Sequence, residues 1–228
     1  MKHSGKAFRA GLKIIGWTLV LLLAIVAGGV VATLLGSLIA SLASLLIGLW
    51  IFFALFTLYF FRDPEPVAPS TPNAVVAPGQ GKVDLIGEAE EPEFLGGRCQ
   101  RVSIFLSVFD VHVQRAPVAG RVAFLRHREG QFLSATAADC GLHNENVLIG
   151  LECAEPAGQK VAFRLIAGLI ARRIVPWVTP GETVARSERV SLIQFGSRVD
   201  LYLPLTARIH VRLGDRVKAG ETVVASLD

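Results

Sequence analysis

The 228-residue chain has three cysteines, one methionine and two tyrosines, and no acidic residue before Asp63. Cys99, Cys140 and Cys153 are odd in number and show no Cys-x-x-Cys spacing, which argues against a disulfide scaffold and a zinc ribbon and fits a reducing cytoplasm. Lys2, Lys6, Arg9 and Lys13 precede every acid, so the other nineteen basic residues balance the nineteen acids and the net +4 belongs to a short arm. A folded region that is neutral overall offers no basic stripe, so no nucleic-acid partner is expected. Motifs that would announce an enzyme class are also missing: no G-x-S-x-G, no Walker A, no H-E-x-x-H and no Rossmann glycine pattern. The five histidines, at 3, 112, 127, 143 and 210, have no metal-ligand spacing, so no metal is expected.

The longest absence is of charge itself. Between Ile14 and Phe61 no residue is charged, a run of forty-eight, whereas one span needs about 20 residues and a signal-peptide core about 7–15. Two spans fit, and lipid-exposed backbone must satisfy its own hydrogen bonds, so the expectation is a helical hairpin, Ile14 to Leu34 and Ile39 to Phe60, turning near Gly36-Ser37. Four basic residues before the first span orient the N-terminus to the cytoplasm, and a second span returns the chain there. The expected organisation is a basic cytoplasmic arm (1–13), a transmembrane hairpin (14–61), a Pro-rich linker (62–73) and a β domain (74–228) on the cytoplasmic face of the inner membrane.

Beyond the linker, short β-branched runs alternate with Gly and Pro. Strands are expected over 74–76, 101–106, 121–125, 146–151, 161–165, 190–195, 199–203, 207–213 and 222–227, while Ile166 to Ile174 could be a strand end or a short helix. Two internal repeats stand out. Ala77-Pro78-Gly79-Gln80-Gly81-Lys82-Val83 and Ala116-Pro117-Val118-Ala119-Gly120-Arg121-Val122 share A-P-x-x-G-[KR]-V. Val178-Thr179-Pro180-Gly181-Glu182-Thr183-Val184 and Val211-Arg212-Leu213-Gly214-Asp215-Arg216-Val217 share V-x-x-G-[ED]-x-V. The second pair resembles the hammerhead of lipoyl and biotinyl carriers, without their central Met-Lys-Met type hairpin. The fold class expected is mainly β, a duplicated barrel-sandwich-hybrid-like domain after the hairpin. A membrane-fusion-type adaptor on such a sandwich would also need coiled-coil heptads, and none is visible.

Two local features could carry chemistry. Asp110 and His112 are two apart and share one face if their strand is extended, so the carboxylate could orient the imidazole, although a lone Asp-x-His is common by chance. Gly196-Ser197 lies between two apolar runs; a Gly there is usually a bend, yet a Gly carbonyl has no Cβ to block attack and the next hydroxyl is a nucleophile.

Taken together and in order, two spans ending Tyr59-Phe60-Phe61-Arg62-Asp63-Pro64-Glu65, then FLSVFDVHVQRAPVAGRV (105–122), IAGLIARRIV (166–175) and FGSRVDLYLP (195–204), resemble the short bacterial phosphatidylserine decarboxylases over essentially the whole chain. The resemblance implies a zymogen that cleaves itself between Gly196 and Ser197, giving a β chain (1–196) and an α chain (197–228) from one proenzyme. Ser197 would become a covalent pyruvoyl cofactor. That group would form a Schiff base with membrane phosphatidylserine and release carbon dioxide, yielding phosphatidylethanolamine, a step of phospholipid biosynthesis. It further implies Ser197, His112 and Asp110 as catalytic residues, with His112 the general acid, and Arg115, Arg172 and Arg173 as candidates to meet the lipid phosphate. Homo-oligomerisation is left open.

Three departures qualify the resemblance. Gln80 stands where relatives carry an acid assigned to self-cleavage, and an amide cannot stabilise an imidazolium. His143-Asn144-Glu145-Asn146 replaces an Asn-Glu-Arg pattern, and Arg115 occupies a position where longer relatives have a second His. Gln80 keeps a competing reading in view, a non-processing membrane-bound relative with a lipid-binding or structural role.

Overall fold

A computed structural model describes residues 5–32, 37–133, 140–169, 173–194 and 197–228. The chain forms two compact units, Gly5–Asp63 and, from Pro64 on, a β unit ending at Asp228. In the first, α1 (Lys6–Ala32) and α2 (Ser37–Phe60) are both long and apolar enough to cross a membrane. The expected turn at Gly36 lies outside the described residues, and α1 begins earlier than Ile14 because a helix continues through the arm at Lys6, Arg9 and Lys13. Polar groups within the apolar stretch are satisfied internally. Thr18 Oγ1 donates to its own helix, with Ile14 O at 3.1 Å and Ile15 O at 2.9 Å, and accepts Trp50 Nε1 at 3.0 Å from α2, as a low-dielectric surround demands.

The β unit comprises β1 (Ala74–Val76), β2 (Gly81–Glu91), β3 (Gly97–Leu106), β4 (Val113–Arg115), β5 (Gly120–Arg128), a helical turn α3 (Cys140–His143), β6 (Asn146–Cys153), β7 (Lys160–Ala167), β8 (Arg173–Pro176), β9 (Thr183–Val184), β10 (Arg189–Gln194), β11 (Ser197–Leu203), β12 (Arg208–Ile209), β13 (Arg216–Val217) and β14 (Val223–Ser226). Mainly β is therefore the observed class. An eight-stranded sheet runs β13-β2-β3-β11-β7-β6-β5-β9, beside three-stranded sheets β4-β10-β8 and β1-β14-β12. One continuous apolar core, including Val83, Ile104, Leu151, Phe163, Val190, Ile193 and Leu201, joins them.

The sequence repeats are structural repeats. Gly81-Lys82 pairs with Val217-Arg216, and Gly120-Arg121 pairs with Val184-Thr183, one pair at each edge of the large sheet. The turn glycines donate alike, Gly214 N to Val83 O at 2.8 Å and Gly181 N to Val122 O at 2.7 Å, and both hold φ above +90°, which favours glycine. Gly81 and Gly120 serve one purpose too: a Cβ on either would stand 2.1 Å from a carbonyl oxygen of the next strand, Phe105 or Glu152.

The linker is part of the β unit rather than a loose spacer. Buried Arg115 donates to Pro64 O at 2.9 Å, Arg189 pairs with Glu65 at 2.7 Å, and Arg186 donates to the carbonyls of Pro69, Thr71 and Ala74.

Candidate active site

Three pairs of consecutive strands, β3 and β4, β7 and β8, and β10 and β11, pass between the large sheet and the β4-β10-β8 sheet. β11 sits between β3 and β7, with Ser197 in register with both Leu106 and Ala167. Its predecessor β10 sits between β4 and β8, with Leu192 opposite both Val113 and Val175. The end of β10 and the head of β11 are thus both central in their sheets, with residues 107–112 following β3 on one side of β11 and 168–169 following β7 on the other. Gly196 and Arg172 lie outside the described residues. Ser197, His112, Asp110 and Arg173 all belong to this row.

Ser197 opens β11. Strand alternation puts it on the same face as Val199, Leu201 and Leu203, all in the core. It is fully buried, and its Oγ has no hydrogen-bond partner among the described residues. Leaving a hydroxyl buried and unsatisfied costs on the order of 1–3 kcal/mol, so the position is chemically costly and calls for a function.

His112 is fully buried, its carbonyl accepting Ile193 N at 3.1 Å and its Nδ1 lying 2.9 Å from Asp110 O. A carbonyl can only accept, so Nδ1 carries a proton and donates it to Asp110 O, which fixes the ring's orientation. The orientation comes from the Asp110 main chain. The carboxylate does other work: Oδ2 accepts Ser107 N at 2.9 Å and Ser107 Oγ at 2.6 Å, and Oδ1 lies 3.3 Å from Arg216. The expected shared strand face is replaced by a Ser107–Asp110 turn, closed by Asp110 N to Ser107 O at 2.9 Å, because a Ser-x-x-Asp side-chain bond competes with extended pairing.

The three arginine candidates separate. Arg115 is buried and its guanidinium donates to the carbonyls of Ser187 and Pro64. Arg173 is exposed, opposite Gln194 at the head of β8. Gln80 follows Gly79, where a Cβ would be 3.2 Å from Val199 Cγ2 and 3.4 Å from Leu106 Cδ1, so the amide stands on the loop that packs against the head of β11.

Sequence reasoning passed over Arg198. It is buried beside Ser197 and bridges Asp84 (2.9 Å) and Asp200 (3.0 Å), with Tyr202 Oη donating to Asp200 at 3.4 Å and Arg101 3.9 Å away. Burial raises the Asp84 carboxyl above its ordinary value against the opposing pull of Arg198, and burial pushes the Tyr202 phenol well up, with the Asp200 charge adding to it. The available signal was Arg-x-Asp in an apolar strand, two charges on one face. Asn144 was also undervalued: buried, it accepts from Leu133 N and donates to Leu133 O and Ala167 O at 2.7–2.9 Å, securing the strand end beside Ser197.

The phosphatidylserine decarboxylase family profile matches residues 53–225, spanning both the end of α2 and the whole Ser197 row. The chain belongs to the phosphatidylserine decarboxylase family. Proteins named phosphatidylserine decarboxylase proenzyme are similar to it: one from Symbiobacterium thermophilum is 47% identical over 174 residues, covering 76% of this chain and 80% of the relative. One from Desulfotalea psychrophila is 46% identical over 172 residues, covering 75% and 79%. One from a Geobacter species is 42% identical over 206 residues, covering 89% and 93%. Phosphatidylserine decarboxylases are carboxy-lyases, so the chain is a member of an enzyme family.

Proposed function

We propose that this chain is a self-processing phosphatidylserine decarboxylase, and the observation that carries the proposal is the buried, unsatisfied Ser197 hydroxyl at the head of β11. In this reading Ser197 Oγ attacks the Gly196 carbonyl, its proton going to a base, and the C–N bond breaks to leave an ester and the Ser197 amine. Loss of the α-proton with expulsion of the Gly196 carboxylate gives a dehydroalanine terminus. Its tautomer takes up water and releases ammonia, leaving a pyruvoyl group on residue 197.

Ser197 fits that cofactor: its side chain is shielded from water and engages nothing that would have to be displaced. The pyruvoyl group supplies a ketone conjugated to an amide, an electron sink for loss of a carboxylate, much as PLP does. The chain's residues handle protons and position. His112, with Nδ1 tied to Asp110 O, offers Nε2 to take or return a proton. Asp110 holds the turn that aims the ring. Arg198, fixed by Asp84 and Asp200, retains the new chain end once the 196–197 bond is gone. Arg173, exposed beside the row, suits the lipid phosphate.

The hairpin anchors the enzyme in the membrane of its substrate. The basic arm and the even number of spans put the β unit on the cytoplasmic face of the inner membrane. Gln80, on the loop packed against β11, favours a second reading in which the chain no longer processes. Decarboxylation of phosphatidylserine vesicles by the purified full-length protein tests between them. Carbon dioxide and phosphatidylethanolamine from wild type, with none from Ser197→Ala, supports the lyase; no turnover by either supports the second reading.

A further inference from the structure

Most of the exposed large apolar side chains of the β unit lie at one end. Among the described residues from Pro64 onward the exposed large ones are Val67, Phe109, Phe132, Leu133, Leu169, Leu205 and Leu213. Phe109 (63% exposed) follows β3 and Leu169 (71%) follows β7, the two strands that flank β11. Phe132 and Leu133 follow β5, whose last residue Arg128 pairs with Asn146 at the head of β6, and Asn144 ties Leu133 to Ala167, the register partner of Ser197. Leu213 (64%) is in the turn leading to Arg216, which reaches Asp110. Single exposed apolar residues mean little, but five of seven converging on the mouth of one site do.

Charge at this end is mixed, with a basic excess: Arg128 pairs with Glu93 and Arg216 with Asp110, while Lys82, Arg173 and Arg212 make no ion pair among the described residues. Lys82, Arg128, Arg173, Arg212 and Arg216 are exposed, against Asp84, Glu129 and Asp215. Asp84 is paired with Arg198, and Asp215 accepts Arg212 N within its own turn. In the sequence only Phe61, Arg62 and Asp63 stand between α2 and Pro64, whose carbonyl Arg115 holds.

We propose that this end of the β unit is a second membrane contact: Phe109, Leu169 and Leu213, with Phe132 and Leu133, enter the headgroup region of an anionic bilayer while the surrounding arginines and Lys82 meet its phosphates. The contact rests on the site reading given above. It delivers a lipid headgroup to the Ser197 row without lifting the acyl chains into water.

The test uses the full chain in phosphatidylserine-containing vesicles. Nitroxides are placed through Phe109→Cys, Leu169→Cys and Leu213→Cys, each in a Cys140→Ser background, with Leu205→Cys, at the far end of β11, as reference. Cys99 and Cys153 are buried and stay unlabelled. The proposal expects the three site-end labels to collide with membrane-dissolved oxygen and to be shielded from an aqueous nickel chelate, and 205 to show the reverse. Nickel access at all four positions overturns it. So does shielding from both reagents with spin–spin broadening that disappears on dilution with unlabelled chain, which assigns the face to a second copy.

Function gives an independent readout. Phe109→Ser/Leu169→Ser/Leu213→Ser is expected to raise the half-saturating mole fraction of bilayer phosphatidylserine about tenfold, by loss of local concentration, and to leave turnover of a monomeric short-chain phosphatidylserine unchanged. Equal loss on both substrates contradicts the docking role. If wild type decarboxylates neither substrate, the lyase reading fails while the collision data still decide the contact.

Discussion

The two faces of β11 are built on opposite principles. One face, Ser197, Val199, Leu201 and Leu203, is an apolar row inside the core whose first member is a hydroxyl without a partner. The other face, Arg198, Asp200 and Tyr202, is equally buried yet its charges are paired: Arg198 holds Asp84 and Asp200, Tyr202 donates to Asp200, and Arg101 lies 3.9 Å from it. The difference teaches how a strand can carry a reactive end. Satisfied polar groups on one side fix the strand's position, and an unsatisfied one on the other stays available for chemistry.

The largest effect is expected at the apolar row. Ser197→Ala removes the nucleophile and should abolish both chain cleavage and decarboxylation, with the fold intact by circular dichroism, since a buried methyl suits that surround better than an unpartnered hydroxyl. His112→Ala should lower activity by about 10²–10⁴, and the pH profile of the residual rate should lose a limb; an unchanged profile would remove His112 from proton transfer.

On the polar face, Arg198→Met leaves Asp200 buried beside the distant Arg101 and should destabilise the β unit by about 3 kcal/mol in denaturant unfolding. Arg198→Lys should recover part of this. A loss below about 0.5 kcal/mol, at the level of ordinary surface substitutions, would break the contrast between the faces.

Asp84 sharpens it further. Its folded pKa is raised by burial from 3.8, so between 3.8 and that higher value the native state holds a proton the unfolded chain has lost. Stability from this group therefore falls as pH rises through that window and is regained on acidification. Measured against Asp84→Asn, wild type should gain relative stability as the pH is lowered towards 4.

The smallest effect compares thiols. Cys99 packs under Tyr202 on the polar side and Cys153 lies in the main core, and burial pushes both up to about 11. At pH 8 about one in a thousand of each is thiolate, so neither should react with a disulfide reagent before unfolding.

The hairpin was legible because forty-eight uncharged residues admit only one arrangement by length. β11, β6 and β7 were legible for their β-branched runs. β2 was not: Gly81, Gly87 and its acids Asp84, Glu88, Glu90 and Glu91 give a poor local strand signal, and the residues that make it one are its partners Gln100 to Phe105 on β3. The expected strand 207–213 shrinks to Arg208–Ile209 because the Gly214-Asp215 turn begins before it can extend. Within the site, Ser197 and His112 could be named from the motif, but the Asp110 carbonyl contact could not, since main-chain geometry leaves no trace in side-chain spacing. The burial of Arg115 and its two carbonyl partners, Ser187 and Pro64, were not legible either, because the partners come from distant segments.

Intact-mass spectrometry of the purified full-length protein tests the central claim most directly. The account predicts two chains, 1–196 and 197–228, the smaller lighter by one ammonia than a chain with a free serine terminus, and a single uncut chain for Ser197→Ala. One uncut mass for the wild type, under conditions where its fold is intact, would contradict it.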